Sequence, residues 1–278
     1  MTEEPNRLGD FLRARRQLVT PEQAGVPVTG VRRVPGLRRE EVAMLAGISA
    51  DYYLRLERGR DRSPSVQVLE SLARVLRLED SARDYLLGLA ADKPRRRRPR
   101  GQTVPPSTAE FVAVLPFPAF VESRYLDVLV ANPLATALSP RLVAGANRLR
   151  DVFLDPEEQA MWPDWEASAA VLVASFRSTV GTGTDDPRFV ELVGELSLAS
   201  PLFRQLWARH DVRPREGAVV VPFLHPQVGE LRLTRQKLHI TGTDGMMLVV
   251  FHPDRATGDA DKLALLASAA LPVSPGRG

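Results

Sequence analysis

The sequence predicts an all-α domain of five helices followed by an α+β domain, in which helices pack on an antiparallel sheet. Three observations support this division. Apolar residues recur at helical spacing through about the first 90 residues, a segment rich in proline and arginine follows, and three long β-rich stretches lie near the end. We therefore place a first domain at residues 1–91, a linker at 92–107 and a second domain at 108–272.

The first domain begins and ends with amphipathic helices. Its first helix is predicted from the apolar residues Leu8, Phe11 and Leu12. Proline and glycine in residues 19–37 predict an irregular loop. Ser63 and Pro64 predict the start of a later helix. The apolar face of that helix would contain Val66, Leu69, Ala73 and Leu76. A last helix at about residues 80–90 closes the domain.

Residues 38–58, RREEVAMLAGISADYYLRLER, contain two short amphipathic runs separated by AGIS. The apolar stripes are Val42, Leu45 and Ala46 in the first run and Tyr53 and Leu56 in the second. Gly47 can adopt the left-handed conformation that ends a helix, and Ser49 can cap the next one. Ile48 would fill the space between the helices, and Ala43 is small enough for a steep helix crossing. These features predict a helix-turn-helix, whose second helix enters the DNA major groove.

Residues 37–60, with their closing LERG, resemble the helix-turn-helix of Xre and lambda-repressor-like regulators. Because the start of the second helix reaches base edges in this geometry, that segment supplies the candidate base readers. They are Ser49, Ala50, Asp51, Tyr52 and Arg55. Among them, Arg55 is the best candidate for a bidentate guanine contact.

Other arginines of this motif are candidates for phosphate contacts. Arg38 and Arg39 lie at the start of the first helix, where repressors of the resembling kind place a phosphate-contacting residue, so we expect them to position the domain. Three further arginines either contact phosphate too or are idle loop residues: Arg58, Arg60 and Arg62. Glu57 resembles the glutamate of the family's LERG, and we expect it to be structural.

The charge of the chain is unevenly distributed. Residues 1–102 carry 21 Lys and Arg against 14 Asp and Glu, whereas the remainder is mildly acidic, so the first domain is expected to bind double-stranded DNA. The linker arginines would either contact phosphates or form a solvated hinge. The absence of cysteine excludes disulfides and cysteine-based sites. No signal-peptide pattern and no apolar run of membrane-spanning length occurs, so we expect a cytoplasmic protein without membrane contact.

The second domain is predicted to run from strands through helices to strands. Asn132 and Pro133 would cap and begin a helix after two short strands. Further helices are expected at 148–153, 164–180, 186–198, 201–208 and 260–269, and strands at 218–224, 230–240 and 246–252. This order is typical of an α+β, PAS-like domain with one sheet.

Four segments of this domain resemble the MmyB-like ligand-binding domain of actinobacterial regulators. They are VLVANPLATAL, FLDPEEQAMWPDWE, DDPRFVELVGELSLASPLFRQLWARHDV and HPQVGELRL. The resemblance implies a PAS-like fold with an apolar pocket, and it implies a fatty acid or similar lipid as the class of ligand. The residues themselves indicate only an apolar-rich α+β domain.

Candidate ligand-binding residues come from WARHDV and from the aromatic residues. Arg209 and His210 could hold a carboxylate, or they could make structural hydrogen bonds at a helix end. Seven aromatic residues could line a pocket, although ordinary core packing would also explain any one of them: Trp162, Trp165, Trp207, Phe120, Phe176, Phe203 and Phe223. His225 and His252 lack a third ligand at a convincing spacing, so we expect no metal.

These features predict a one-component transcriptional regulator rather than an enzyme. A homodimer would bind a DNA operator, and a small apolar effector, such as a fatty acid, would change its affinity; no other cofactor is expected. The alternative is a helix-turn-helix adaptor whose C-terminal domain contacts proteins and binds no small molecule. An enzyme is disfavoured because the sequence has no cysteine, GxSxG, Walker or dinucleotide-binding motif.

Overall fold

A computed structural model gives the architecture of the protein. It describes residues 6–27, 32, 34–61, 63–90, 103–181, 186–213, 218–254 and 257–270. These residues cluster by contact into two units. The first takes its residues from 1–96, 181–184 and 204–214, and the second takes the rest. The predicted linker falls mostly outside the described residues, as does Arg62.

The N-terminal part of the first unit is helical, as predicted. Its helices are α1 (Arg7–Leu18), α2 (Arg39–Ala46), α3 (Ala50–Glu57), α4 (Val66–Val75) and α5 (Asp80–Ala90). Their shared core includes Phe11, Leu12, Tyr53, Leu56 and Leu72, all completely buried. The five-helix domain is therefore confirmed.

Two details of this unit differ from the sequence-based prediction. Helix α4 begins at Val66, because Ser65 rather than Ser63 caps it by accepting from the Val68 N–H at 3.4 Å. Val66 is consequently 65% exposed and does not belong to the buried face. Leu45, which was predicted to lie on the apolar stripe of α2, is exposed instead. The buried residues of α2 are Val42, Ala43 and Ala46.

The second unit contains the sheet and most of the remaining helices. The helices along this part of the chain are α6 (Pro106–Val114), α7 (Pro133–Leu138), α8 (Arg148–Leu154), α9 (Pro156–Ala160), α10 (Trp165–Val180), α11 (Pro187–Ala199), α12 (Pro201–Ala208) and α13 (Asp259–Ala270). Asn132 caps α7, as predicted, by accepting from the Ala135 N–H at 2.9 Å. Helices α6 and α9 were not predicted, and α6 begins within the range assigned to the linker.

Within the part of the chain that the structure describes, five antiparallel strands form one sheet. The strands are β1 (Ala119–Glu122), β2 (Val128–Ala131), β3 (Ala218–His225), β4 (Gly229–His239) and β5 (Met247–Pro253). Their order across the sheet is β2-β1-β5-β4-β3, so the first strand pairs with the last. The predicted antiparallel sheet with helices is therefore confirmed.

Strand β1 is buried on both faces of the sheet. On one face, Ala119 and Val121 pack with Val112 of α6. On the other face, Phe120 packs in a larger cluster that includes Leu138 of α7 and Leu266 of α13. This second face, called here the covered face, lies beneath helices of the second unit and presents alternate residues of each strand.

Candidate nucleic-acid interface and ligand-binding face

The turn between α2 and α3 has the geometry that the sequence predicts. Gly47 has φ 71° and ψ 31°, which places it in the left-handed region. This conformation lets the Ile48 N–H donate to the Ala43 carbonyl at 3.0 Å and close the end of α2. Ser49 then accepts from the Tyr52 N–H at 3.1 Å and opens α3. The turn therefore holds two short helices at a defined crossing, packed over the small, buried side chain of Ala43.

A buried carboxylate locks α3 to the rest of the domain. The side chain of Glu57 is fully buried and accepts from Arg16 Nε at 2.7 Å and from Arg39 Nε at 2.5 Å. Arg16 also donates to the Leu37 carbonyl at 2.8 Å. Burial raises the pKa of Glu57, but the two guanidinium groups outweigh burial and hold its pKa below the ordinary value. Glu57 thus joins α1, α2 and α3, which agrees with the structural role expected for it.

The outer face of α3 carries the predicted base readers. Ser49, Ala50, Asp51 and Arg55 are exposed, and Tyr52 is half-buried. Arg55 forms an ion pair with Asp51, one helical turn earlier, and its guanidinium carbon lies 5.5 Å from the Tyr52 ring centroid. The side chain that could contact guanine is therefore already oriented along the helix surface.

The predicted phosphate contacts lie around this face. Arg38 precedes α2, and Arg58 follows α3, and both are exposed. Arg39 forms an ion pair with the buried Glu57, yet its side chain is 44% exposed, so it also remains accessible to a phosphate from solvent. Arg32 was not predicted from the sequence; its guanidinium donates to Glu41 at 2.8 Å, and Glu41 in turn accepts from the Arg38 N–H.

The covered face of the sheet carries a row of aromatic rings. Trp162 lies 5.3 Å from Phe223, Phe223 lies 5.5 Å from Phe251, and Phe251 lies 6.3 Å from Phe120, measured between centroids. The indole N–H of Trp162 is buried and has no hydrogen-bond partner among the described residues. A buried donor without a partner is uncommon in native proteins and marks a place where a ligand oxygen could bind.

The row of rings ends at a buried ionic cluster that the sequence analysis missed. Glu122 on β1 accepts from Arg148 Nη1 at 2.7 Å and from Lys237 Nζ at 2.6 Å. The Arg148 guanidinium carbon lies 5.2 Å from the Phe120 ring centroid. One pattern in the sequence could have indicated this cluster. Every second residue of β4 lies on the covered face, and along the strand these residues are first apolar and then basic: Leu231, Leu233, Arg235, Lys237 and His239.

The electrostatics of the cluster show an excess of positive charge. Burial raises the pKa of Glu122, but Lys237 and Arg148 outweigh burial and hold its pKa at about 2. Burial lowers the pKa of Lys237; Glu122 opposes this shift, while Arg148 and Arg235 add to it. Glu122 is thus paired with two cations, Lys237 and Arg148, and it remains ionised at neutral pH.

The predicted ligand residues fall into two groups. Phe120 and Phe223 both belong to the aromatic row. Trp207, Arg209 and His210 lie at and after the end of α12, in the segment 204–214 that clusters with the first unit. Arg209 pairs with Asp211 at 2.9 Å and is half exposed. A ligand contact by these three residues stays a prediction.

The two histidines considered as metal ligands, His225 and His252, lie at or next to the ends of β3 and β5. His225 is buried and its Nε2 lies 3.0 Å from the Ala137 carbonyl, whereas His252 packs near Phe117. Within the described ranges, no three His, Asp or Glu side chains are grouped so that they could hold a metal ion. No helix of the described residues is long and apolar enough to cross a membrane.

A shallow groove lies on the opposite face of the sheet, between α6 and the end of β4. It has a volume of about 320 Å³ and is lined by Phe111, Leu238 and Leu248 together with polar residues. Phe111 is 50% exposed and Leu238 48%, so this groove is open to solvent.

Comparison with known families agrees with this geometry. A model described as a helix-turn-helix domain matches residues 7–86, and one described as the MmyB-like transcription regulator ligand binding domain matches residues 104–266. No curated protein matches the chain. Neither matched family is described as an enzyme, and the second covers more than half of the sequence. The chain therefore belongs to the MmyB-like transcription regulators, with an N-terminal helix-turn-helix and a C-terminal ligand-binding domain.

Proposed function

We propose that this protein is a one-component regulator that binds a specific DNA operator as a homodimer and responds to a small apolar ligand, such as a fatty acid. The observation that carries the DNA-binding part is the outer face of α3, a capped and locked helix, where Ser49 and Asp51 are exposed at the start and Arg55 is exposed in the last turn. This is the part of a helix-turn-helix that reaches base edges in the major groove. A regulator works where the DNA is, so we place it in the cytoplasm.

The proposal of a homodimer rests on the geometry of DNA. One recognition helix of eight residues, α3, can read only a few base pairs. Two such helices, held about one helical turn of DNA apart, read a symmetric site and give useful specificity. A second copy of the chain is the simplest source of the second helix.

The proposal of an apolar ligand rests on the covered face of the sheet. Its aromatic row, formed by Trp162, Phe223, Phe251 and Phe120, is one continuous apolar strip. Aromatic side chains commonly line the sites that bind small apolar ligands. For such a ligand to regulate DNA binding, it must have different affinities for the DNA-competent and incompetent states.

Two measurements test this function. Mass spectrometry of the small molecules released on denaturation should detect an acyl chain at a stoichiometric amount. Operator selection from a random DNA library, followed by titration with and without the detected molecule, should give a symmetric site whose affinity changes with the ligand. A library without enrichment for any sequence would refute specific DNA binding, and enrichment for a single half-site would refute the dimer.

The open groove between α6 and β4 favours a second candidate function. Its exposed Phe111 and Leu238 resemble a contact surface for another protein more than a ligand pocket. The C-terminal domain would then act as an adaptor that binds a protein partner and no small molecule. An extract free of small molecules, together with a DNA affinity unaffected by fatty acids, would support this candidate over the sensor.

A further inference from the structure

The outer face of α3 carries a carboxylate at a position where an acid weakens DNA binding. Asp51 lies in the first turn of α3, and its side chain is 73% exposed. The face on which it lies is the one proposed to approach DNA, whose phosphates are negatively charged. An exposed acid on that face repels the backbone of any DNA, whatever its sequence. This cost is offset if the acid improves the choice of sequence.

Asp51 contacts the residue that is proposed to read guanine. Arg55 lies four residues later, and its Nη1 donates to Asp51 Oδ2. The guanidinium carbon of Arg55 also lies 5.5 Å from the ring centroid of Tyr52, three residues earlier. Residues three and four positions apart are neighbours on a helix surface, so two side chains limit the directions in which Arg55 can point.

The contact with Asp51 leaves Arg55 able to bind a base. A guanidinium group has five N–H donors, and the ion pair with Asp51 uses one of them. A bidentate contact to guanine O6 and N7 needs two donors. The side chain of Arg55 is 46% exposed, and an exposed ion pair of this kind contributes little to stability. The ion pair therefore matters for the direction of Arg55 and not for the stability of the domain.

Phosphate oxygens compete with guanine for the same arginine. A phosphate contact adds affinity but carries no sequence information. Asp51 disfavours that contact in two ways, because it holds Arg55 on the helix surface and because its charge repels a phosphate that approaches the same guanidinium group. It does not repel guanine in this way, since O6 and N7 are uncharged acceptors.

We propose that Asp51 determines specificity by positioning: it directs Arg55 toward the edge of a guanine and away from phosphates. This inference rests on the proposed DNA-binding function and deepens it. It also differs from the sequence-based prediction, which counted Asp51 among the residues that contact bases themselves.

The test measures discrimination between bases by the full chain. Fluorescence anisotropy gives the affinity for three duplexes: the site enriched from a random library, the same site with adenine replacing the guanine whose preference Arg55→Ala removes, and an alternating A·T duplex. The unaltered chain should prefer guanine to adenine by roughly tenfold to a hundredfold. Asp51→Asn should reduce this preference by roughly threefold to tenfold. It should also bind the A·T duplex several-fold more tightly, with a salt slope steeper by about one, because Arg55 becomes free to contact a phosphate.

Three variants serve as controls. Asp51→Glu keeps a carboxylate one turn before Arg55 and should retain the preference for guanine. Asp10→Asn removes the same charge from another exposed acid beside an arginine, Arg13 on α1, and should leave the preference unchanged. Asp51→Asn combined with Arg55→Ala should discriminate no less than Arg55→Ala alone, because Asp51 acts through Arg55. Circular dichroism verifies folding, and Asp51→Ser replaces Asp51→Asn if the latter does not fold.

The outcomes separate this inference from the function beneath it. An unchanged preference in Asp51→Asn, with an enriched site in hand, overturns the positioning role and leaves specific DNA binding standing. An equal loss in Asp10→Asn, or a further loss on the Arg55→Ala background, also overturns it, because the effect would then not pass through Arg55. A loss of affinity for all three duplexes together would indicate a structural role for Asp51 and contradict the proposal. If no site is enriched from the library, the proposed DNA-binding function fails first.

Discussion

Removing the charge of Glu57 should strongly destabilise the DNA-binding domain, because this carboxylate is fully buried between two arginines. Glu57→Gln keeps the shape of the side chain and leaves Arg16 as a buried cation without an anion, since the Arg16 side chain is only 9% exposed. Breaking a buried ion pair from one side costs about 3–5 kcal/mol, and the remaining amide oxygen retains part of the hydrogen bonding. Arg39 is 44% exposed and adds little. We therefore expect a loss of about 3 kcal/mol.

Hydrogen exchange on the full chain measures this loss locally. Peptides that cover α1 and α3 should exchange roughly 150-fold faster in Glu57→Gln than in the unaltered protein, because each 1.4 kcal/mol is about a factor of ten. Glu70→Gln is the matched control, since Glu70 forms an exposed ion pair with Arg83 in the same domain. It should leave the exchange of these peptides unchanged.

The pH dependence gives an independent check. The pKa of Glu57 is lowered in the folded protein, so its contribution is fully present above the unfolded carboxyl pKa of about 4.3 and is lost as the pH falls through the lower, folded value. The difference between the unaltered protein and Glu57→Gln should therefore shrink below about pH 4. If Glu57→Gln exchanged no faster than Glu70→Gln at pH 7, the assignment of Glu57 as the lock of this domain would be refuted.

Three further predictions use other features of the two units. Gly47→Ala should lower the free energy of urea unfolding by about 1 kcal/mol, because alanine is strained in a left-handed backbone conformation even though the added Cβ meets no other atom. Gly9→Ala should lower it by about 3 kcal/mol, because its Cβ would lie 2.3 Å from a backbone carbonyl oxygen. Equal losses would contradict this close approach. Arg55→Ala should relax base preference in operator selection, while Arg39→Ala should weaken binding to all sequences and lower the salt slope by about one unit; intact preference in Arg55→Ala would show that α3 is not the reading helix. Asn132→Ala should lower the stability of the second unit by about 3 kcal/mol in thermal unfolding, because the buried amide oxygen accepts from two backbone N–H groups and the amide NH2 group shares its two N–H donors among three nearby carbonyls. A loss below about 1 kcal/mol would mean that other groups replace the amide.

The sequence alone determined the parts of this protein that depend on neighbouring residues. The helix-turn-helix was predicted because Gly47, Ser49 and the apolar residues around them act within one or two helical turns, where spacing along the chain equals spacing in space. The cap at Asn132 was predicted for the same reason. The errors at Ser63 and Leu45 arose where two candidates lay within a few residues of each other, and local rules do not choose between them.

Only the tertiary structure decided which distant residues share a site. Glu122, Arg148 and Lys237 belong to β1, α8 and β4, and they meet because the first strand pairs with the last and a helix packs above them. Nothing in the local sequence around any one of these three residues indicates a site. The segment WARHDV, in contrast, was singled out from its sequence, but it clusters with the first unit and not with the sheet. Burial also exists only in the fold, and because Glu122 is buried, its charge depends on both Lys237 and Arg148.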